Sequence, residues 1–256
     1  MTLKEVTTKI NQAPHIDFGE VFRNALALYQ KVWLQGLLMI ILSSLSFMGI
    51  YMILVVPMMA SNFIVDGQIT NDEVGGSIFL MVILFLVYIL IIAGATIANL
   101  GLQAAFYRLV RVKDRNDNQE QGVNFGMFFK KDYLKKLAVF SLAYLGIMIL
   151  SYILCFLPIL YAIVPLQYAL IIFAFHPEWS INDIYTAGFK LGNKKWGVSF
   201  ALVLVSGLVA YIVGFLACLI GIYATMSFVM LPGYIIYKEV IGFTEVEDAI
   251  AQIGER

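Results

Sequence analysis

The chain has 256 residues, of which 61% are hydrophobic and 13% charged, with seventeen basic and seventeen acidic side chains. A soluble globular domain is about 45–50% apolar, so this composition, with mean hydropathy +0.86, places nearly all the mass in lipid and leaves no room for a separate soluble domain. A net charge of zero offers no basic surface to nucleic acid.

In chain order, an amphipathic helix is predicted from Asp17, with Phe18, Val21, Phe22, Ala25, Leu26 and Tyr29 at helical spacing and Glu20, Arg23 and Lys31 opposite. Asp17 with Glu20 resembles a capping box. The first apolar run, residues 32–60, far exceeds the roughly 7–15 residues of a signal h-region, so it is read as a first span that also targets the chain. An outer loop over 61–77 holds Asp66, Asp72 and Glu73 and no base. A second span covers 78–109, with Phe106, Tyr107 and Arg108 expected to carry its helix past the headgroups. Arg111 to Glu120 reads as a polar, mobile connector.

A second amphipathic helix is expected from Asn124, with Phe125, Phe128, Phe129 and Tyr133 on one face and Lys130 and Lys131 on the other. Spans over 137–156 and 159–175 follow, joined so tightly at Phe156-Leu157-Pro158 that they form an antiparallel hairpin. A third amphipathic helix starts at Ser180, with Ile181, Ile184, Tyr185 and Gly188 against Lys190 and Lys194. Spans over 197–217 and 219–237 meet near Cys218, with Pro165 and Pro232 expected to kink spans four and six. A tail over 238–256 completes the chain, with Val246, Ile250 and Ile253 at helical spacing.

Every lysine and arginine falls in alternate connections or at the ends: Lys4 to Lys31, Arg108 to Lys136, Lys190 to Lys195, then Lys238 and Arg256. By the positive-inside rule the expected fold is an all-α integral membrane protein. It has six transmembrane helices as three antiparallel hairpins, each preceded by a cytoplasmic interfacial helix, with both termini cytoplasmic. The three units, about 17–109, 124–175 and 180–237, read as internal repeats. Glu20, Val21, Phe22, Lys31 and Trp33 align without gaps on Asp183, Ile184, Tyr185, Lys194 and Trp196, and Asp17-Phe18-Gly19 matches Asn124-Phe125-Gly126. Trp33, Trp179 and Trp196, with Lys31, Lys194 and Lys195, sit where spans enter lipid and are read as interfacial anchors.

Chemistry is scarce. The apolar cores of the spans hold no Asp, Glu, Lys, Arg or His, which argues against a proton-coupled carrier, a pump or an intramembrane protease. His15 and His176 have no zinc spacing, and no phosphate loop, nucleophile elbow or dinucleotide fingerprint occurs, so no cofactor, metal or enzymatic activity is expected. Asn99 and Gln103 lie four apart on span two, and Gln167 lies in span four. They form a candidate polar cavity for a headgroup or neutral solute, or simply interhelical hydrogen bonds. Ala210, Gly214 and Cys218, and likewise Gly94, Ala98 and Gly101, form small-residue faces for close packing inside the bundle or against a partner. Cys155 and Cys218 lie near outer span ends, where they either pair or serve as small buried residues.

The stretch His176-Pro177-Glu178-Trp179, through Ser180 and Asp183 to Lys194-Lys195-Trp196, follows a span bearing Tyr161 and Pro165. It resembles a family of uncharacterised bacterial six-helix membrane proteins related to the membrane domain of some glycerophosphodiester phosphodiesterases. The resemblance implies the fold and inner-membrane residence. It implies no reaction, because the phosphodiesterase's soluble catalytic barrel has no counterpart here. The function expected is a non-enzymatic scaffolding, accessory or lipid-organising role, the alternative being a small-solute or lipid transporter with pseudo-threefold hairpins. The expected partners are the phospholipid bilayer and another membrane protein.

Overall fold

Caps and prolines decide where the helices begin and end. In a computed structural model, which describes residues 1–64, 71–115, 123–154, 157–217 and 220–243, every regular element is helical. They are α1 (Leu3–Asn11), α2 (Phe18–Ile64), α3 (Asn71–Asp114), a 3-10 turn at Met127–Phe129, α4 (Lys131–Ile153), α5 (Leu157–Phe175), α6 (Ile181–Lys194), α7 (Trp196–Leu216), α8 (Ile220–Thr225), a second 3-10 turn at Met226–Met230, and α9 (Leu231–Val240). Five segments are long and apolar enough to cross a membrane: Phe18–Met48, Phe85–Asp114, Lys131–Ile153, Pro158–Phe175 and Trp196–Leu216. The protein is thus an all-helical, multi-pass membrane protein.

The three amphipathic stretches fold in three different ways. Asp17 does cap the first, its Oδ1 accepting the Glu20 N–H at 2.8 Å. That helix then runs on unbroken as α2, 47 residues long, because Lys31 and Trp33 mark a change of surroundings rather than of backbone. The second is not an amphipathic helix: after Gly126 the chain makes only the 3-10 turn before α4 starts at Lys131. The third is a separate helix, α6, capped by Ser180, whose Oγ accepts the Asp183 N–H at 3.1 Å.

The α6 stripe was expected to face lipid, but it faces protein. Ile184, Ala187, Gly188, Leu191 and Gly192 are buried as α6 runs antiparallel along α5. A Cβ on Gly188 would lie 2.7 Å from Ala169 Cα, and one on Gly192 2.6 Å from Pro165 Cα. Lipid chains would not require such bare backbone. Helix α5 becomes the axis of the bundle, buried along Val164, Tyr168 and Ile171 to Phe175. Large apolar side chains on the outer faces of α2, α3, α4 and α7 stay exposed, Leu34, Leu90, Ile153 and Leu216 among them.

The last apolar run, 219–237, was expected as one span, and its helix is interrupted instead. Among the described residues it divides into α8, the 3-10 turn and α9. Pro232, lacking a backbone donor, stands in the first turn of α9 and withholds the i+4 donor from the Phe228 carbonyl, so the disturbance expected at Pro232 takes the form of the 3-10 turn before it. The turn before it is fixed from outside. The Phe228 ring packs edge-on to Phe22 and Tyr29, with centroids 5.6 Å away in each case, and Gly36 leaves room for Ser227.

Two further elements depart from expectation. Helix α1 is capped by a reciprocal Thr2–Glu5 box. Helix α3 continues to Asp114, so Arg111, expected in a solvated connector, is instead buried. Cys155, Cys218, Asp66 and the 245–256 stripe lie outside the described residues.

Candidate functional site

Pro165 organises the site from within α5. Its missing N–H leaves the Tyr161 carbonyl, four residues earlier, without a helical donor. Trp196, at the start of α7, supplies one: its Nε1 donates to Tyr161 O at 3.1 Å. The Tyr161 hydroxyl reaches Asn193 Oδ1 at 2.5 Å. Two residues beyond Pro165, Gln167 comes to rest on Gly233 of α9, where a Cβ would stand 2.9 Å from Gln167 Nε2.

Across from Gln167 stands α3. Asn99 and Gln103, one turn apart, are joined, the Gln103 Nε2 donating to Asn99 Oδ1. Gln103, Tyr107, Tyr144, Gln167, Val203 and Met230 then line one cavity of about 150 Å³. Five elements meet there, α3, α4, α5, α7 and the 3-10 turn that interrupts the last apolar run. The Tyr107 hydroxyl donates to the Met230 carbonyl at 3.5 Å. The structure therefore brings Gln103 and Gln167 together, while Asn99 orients Gln103 and does not itself line the space.

Tyr107, Tyr144 and Gly233 were not identified from the sequence as parts of this site. Tyr107, expected to carry its helix past the headgroups, is fully buried. A phenol has an apolar body and a polar tip, so a tyrosine at the end of an apolar run is ambiguous. The Pro232-Gly233 pair was the available signal, because bare backbone beside a helix restart invites a close approach.

The cavity offers carboxamides, phenols and a carbonyl, without a charged side chain among its lining residues. Burying an unpaired ion there would be costly, so the fitting ligand is uncharged. An apolar cavity of about 150 Å³ admits a molecule of benzene size, which bounds this ligand to roughly six heavy atoms.

A second polar concentration lies where α3, α5 and α9 end. Arg108 donates from Nε to Ala174 O at 2.5 Å and from Nη2 to Phe175 O at 3.4 Å, satisfying carbonyls that end α5. Arg111 lies 4.0 Å over the Phe243 ring. His176 has both ring nitrogens engaged, with Tyr237 Oη at 3.1 Å and Glu178 Oε1 at 3.3 Å. Asp114 Oδ2 accepts from Lys238 at 2.6 Å and from the Tyr234 hydroxyl at 3.0 Å. Asp114 with Lys238 and Tyr234, and His176 with Tyr237 and Glu178, engage one another, and among the described residues no three His, Cys, Asp or Glu side chains converge as a metal site.

The six anchor residues divide. Trp33 is 47% exposed, and Lys31 and Lys194 are exposed as well. Trp179 is a correction: it is 9% exposed, stacked on His176 at 4.6 Å, with its Nε1 donating to Met1 O at 3.2 Å. Met1, just ahead of helix α1, thus sits against it. Lys195 also turns inward, donating to the Pro14 carbonyl. Burial, and then the neighbouring Lys194, lower its pKa. Trp196 fills the role set by Pro165. The small face of α7 is likewise spent internally, because Gly214 packs on Ile222 of α8.

Compared with known protein families, characterised proteins and solved structures, the chain finds no match.

Proposed function

We propose that this chain is a non-enzymatic protein of the bacterial inner membrane that binds, and passes across its bundle, a small uncharged polar solute held between Gln103 and Gln167. The carrying observation is the convergence of those two carboxamides where the last apolar run interrupts its helix. A stretch of 3-10 geometry within a helical run often marks a functional hinge, and helices that change geometry near the midplane recur at transporter binding sites. The six-crossing reading belongs to this proposal, with α8, the 3-10 turn and α9 as the broken sixth crossing and both termini cytoplasmic. The one-sided distribution of lysine and arginine supports it. A cysteine placed at Lys113 in a cysteine-free background should resist a membrane-impermeant thiol reagent in intact cells, and labelling there would overturn the topology.

The binding test is a thermal-shift panel on purified protein, comparing small amides, ureas and polyols with charged analogues of similar size. Stabilisation should be confined to uncharged compounds and should fall at least tenfold in apparent affinity in Gln103→Leu and Gln167→Leu. A flat response across the panel would sink the reading.

An accessory role is the second reading, favoured by Gly94 on α3. Among the described residues, nothing outside its own stretch of helix lies within 4 Å of where its Cβ would be, so that face is open to another membrane helix. A stoichiometric partner in mild detergent, lost in Gly94→Leu, would support it.

A further inference from the structure

The groove between α2 and α9 carries charge that the solute cavity does not use. Asn24, Leu28 and Lys31, on one face of α2, join Asp114, Lys238 and Glu239 in lining a cleft of about 350 Å³. That volume lies at the lower end of the ~300–1,000 Å³ range of ligand pockets. Its charged residues are two bases and two acids, so the lining is neutral overall but has both signs on display. Asp114 and Lys238 are already joined at 2.6 Å. Lys31 is exposed and Glu239 only partly covered, and neither has an ion pair among the described residues.

The position of the cleft narrows its occupant. Immediately after Lys31, Trp33 is 47% and Leu34 58% exposed, so α2 passes from the charged groove to a bare apolar face within one turn. In a membrane protein that transition marks headgroup level. The lining includes no aromatic ring, which disfavours a quaternary ammonium held by cation–π contact. Carboxylate and amide oxygens instead accept hydrogen bonds from a primary ammonium, and the lysines donate to phosphate.

We propose that this cleft binds the phosphate ester of a primary ammonium, the phosphoethanolamine group, with Lys31 and Lys238 on the phosphate and Glu239 and Asn24 on the ammonium. The carboxyl of Glu239 is held above the usual range by burial and then by Glu20, against the pull of Lys238. An arriving cation relieves that repulsion. The inference rests on the membrane reading but is independent of the Gln103–Gln167 cavity.

The test titrates the full chain in mild detergent with short-chain phosphatidylethanolamine, phosphatidylcholine and phosphatidylglycerol, counting bound lipid by native mass spectrometry. Phosphatidylethanolamine should bind at least tenfold more tightly than the other two. Lys31→Gln and Glu239→Gln should each erase that preference. Lys190→Gln on α6 and Gln167→Leu in the solute cavity should leave it intact, so the two readings fail separately. Competition by soluble phosphoethanolamine would support the site and assign it to the free ester, while its failure to compete would assign it to the lipid. Equal binding of the three lipids by the native protein, or a preference surviving both substitutions in the cleft, would overturn the proposal.

Discussion

Trp196 Nε1 donates to the carbonyl of Tyr161 at 3.1 Å, the carbonyl that Pro165 deprives of its helical partner. Tyr161 is 43% exposed, and an interhelical hydrogen bond in a membrane is worth about 0.6 kcal/mol on average and up to about 1.7. Trp196→Phe keeps the ring on Phe200, stacked at 4.9 Å, but removes the donor. Its apparent melting temperature should fall. Pro165→Ala restores a backbone N–H to Tyr161 O, so the Trp196→Phe penalty should shrink in that background. A double-mutant cycle measures the coupling, and simple additivity would refute this account of Trp196.

Much of the architecture was legible because it depends on local rules. Asp17 and Ser180 cap helices because a short acceptor before a periodic stripe has few other uses. The Thr2–Glu5 box with Val6 and Ile10 obeys the same rule, but in so apolar a chain a nine-residue helix outside the long runs was eclipsed. The α6 stripe was ambiguous because helical periodicity reports an apolar face without saying whether lipid or protein covers it. Gly188 and Gly192, one turn apart, were the discriminating signal, since only a close backbone neighbour requires them. The turn at 226–230 was legible in part, because Pro232 withholds the donor that the carbonyl four residues earlier would use, whereas the packing of Phe228 on Phe22 and Tyr29 was not, since those residues are far away in sequence. Gln103 and Gln167 were legible as polar residues in apolar runs, whereas Tyr107 and Tyr144 were not.

Gly188 and Gly192 should not tolerate a methyl group. Overpacking a filled interior costs about 1–3 kcal/mol, and here the obstacle at both positions is the backbone of α5. Gly188→Ala and Gly192→Ala should each lower the melting temperature in detergent. Gly207→Ala on α7, where nothing lies within 4 Å, is the matched control and should be neutral or slightly stabilising. Equal tolerance at all three sites would contradict the close α5–α6 contact.

Helix α1 is held by few but specific contacts. Val6 and Ile10 are buried, Lys9 Nζ donates to Ile241 O at 2.7 Å, and Trp179 holds Met1. Trp179→Phe preserves stacking on His176 but removes the indole donor, so the N-terminal segment should open more often without loss of the bundle. Hydrogen exchange over residues 3–11 should accelerate severalfold while α5 stays protected. Unchanged exchange would show that apolar burial alone secures the helix.

Arg111 lies over the Phe243 ring at 4.0 Å, with Phe175 5.8 Å away. A guanidinium stacks on aromatic faces and an ammonium does so less well, so Arg111→Lys keeps the charge and loses the plate. At about 0.5–2 kcal/mol for such a contact, the substitution should lower stability measurably. Phe243→Leu should do the same, and the pair should be non-additive.

Glu239 gives a pH-dependent test of the α2–α9 groove. Its pKa is raised above the ordinary value of 4.5, first by burial and then by Glu20. Between that ordinary value and its raised one, the folded protein holds the proton more tightly than the unfolded chain. The associated stability is complete below 4.5 and is lost as pH rises through the raised value. At pH 7 the ionised carboxylate is therefore a burden, and Glu239→Gln should melt higher than the native protein in detergent free of ethanolamine lipid. At pH 4, where Glu239 is protonated in both states, the advantage should vanish. A Glu239→Gln gain that persists at pH 4 would trace to packing rather than charge, and a loss at pH 7 would mean that the carboxylate has a cationic partner in the folded protein.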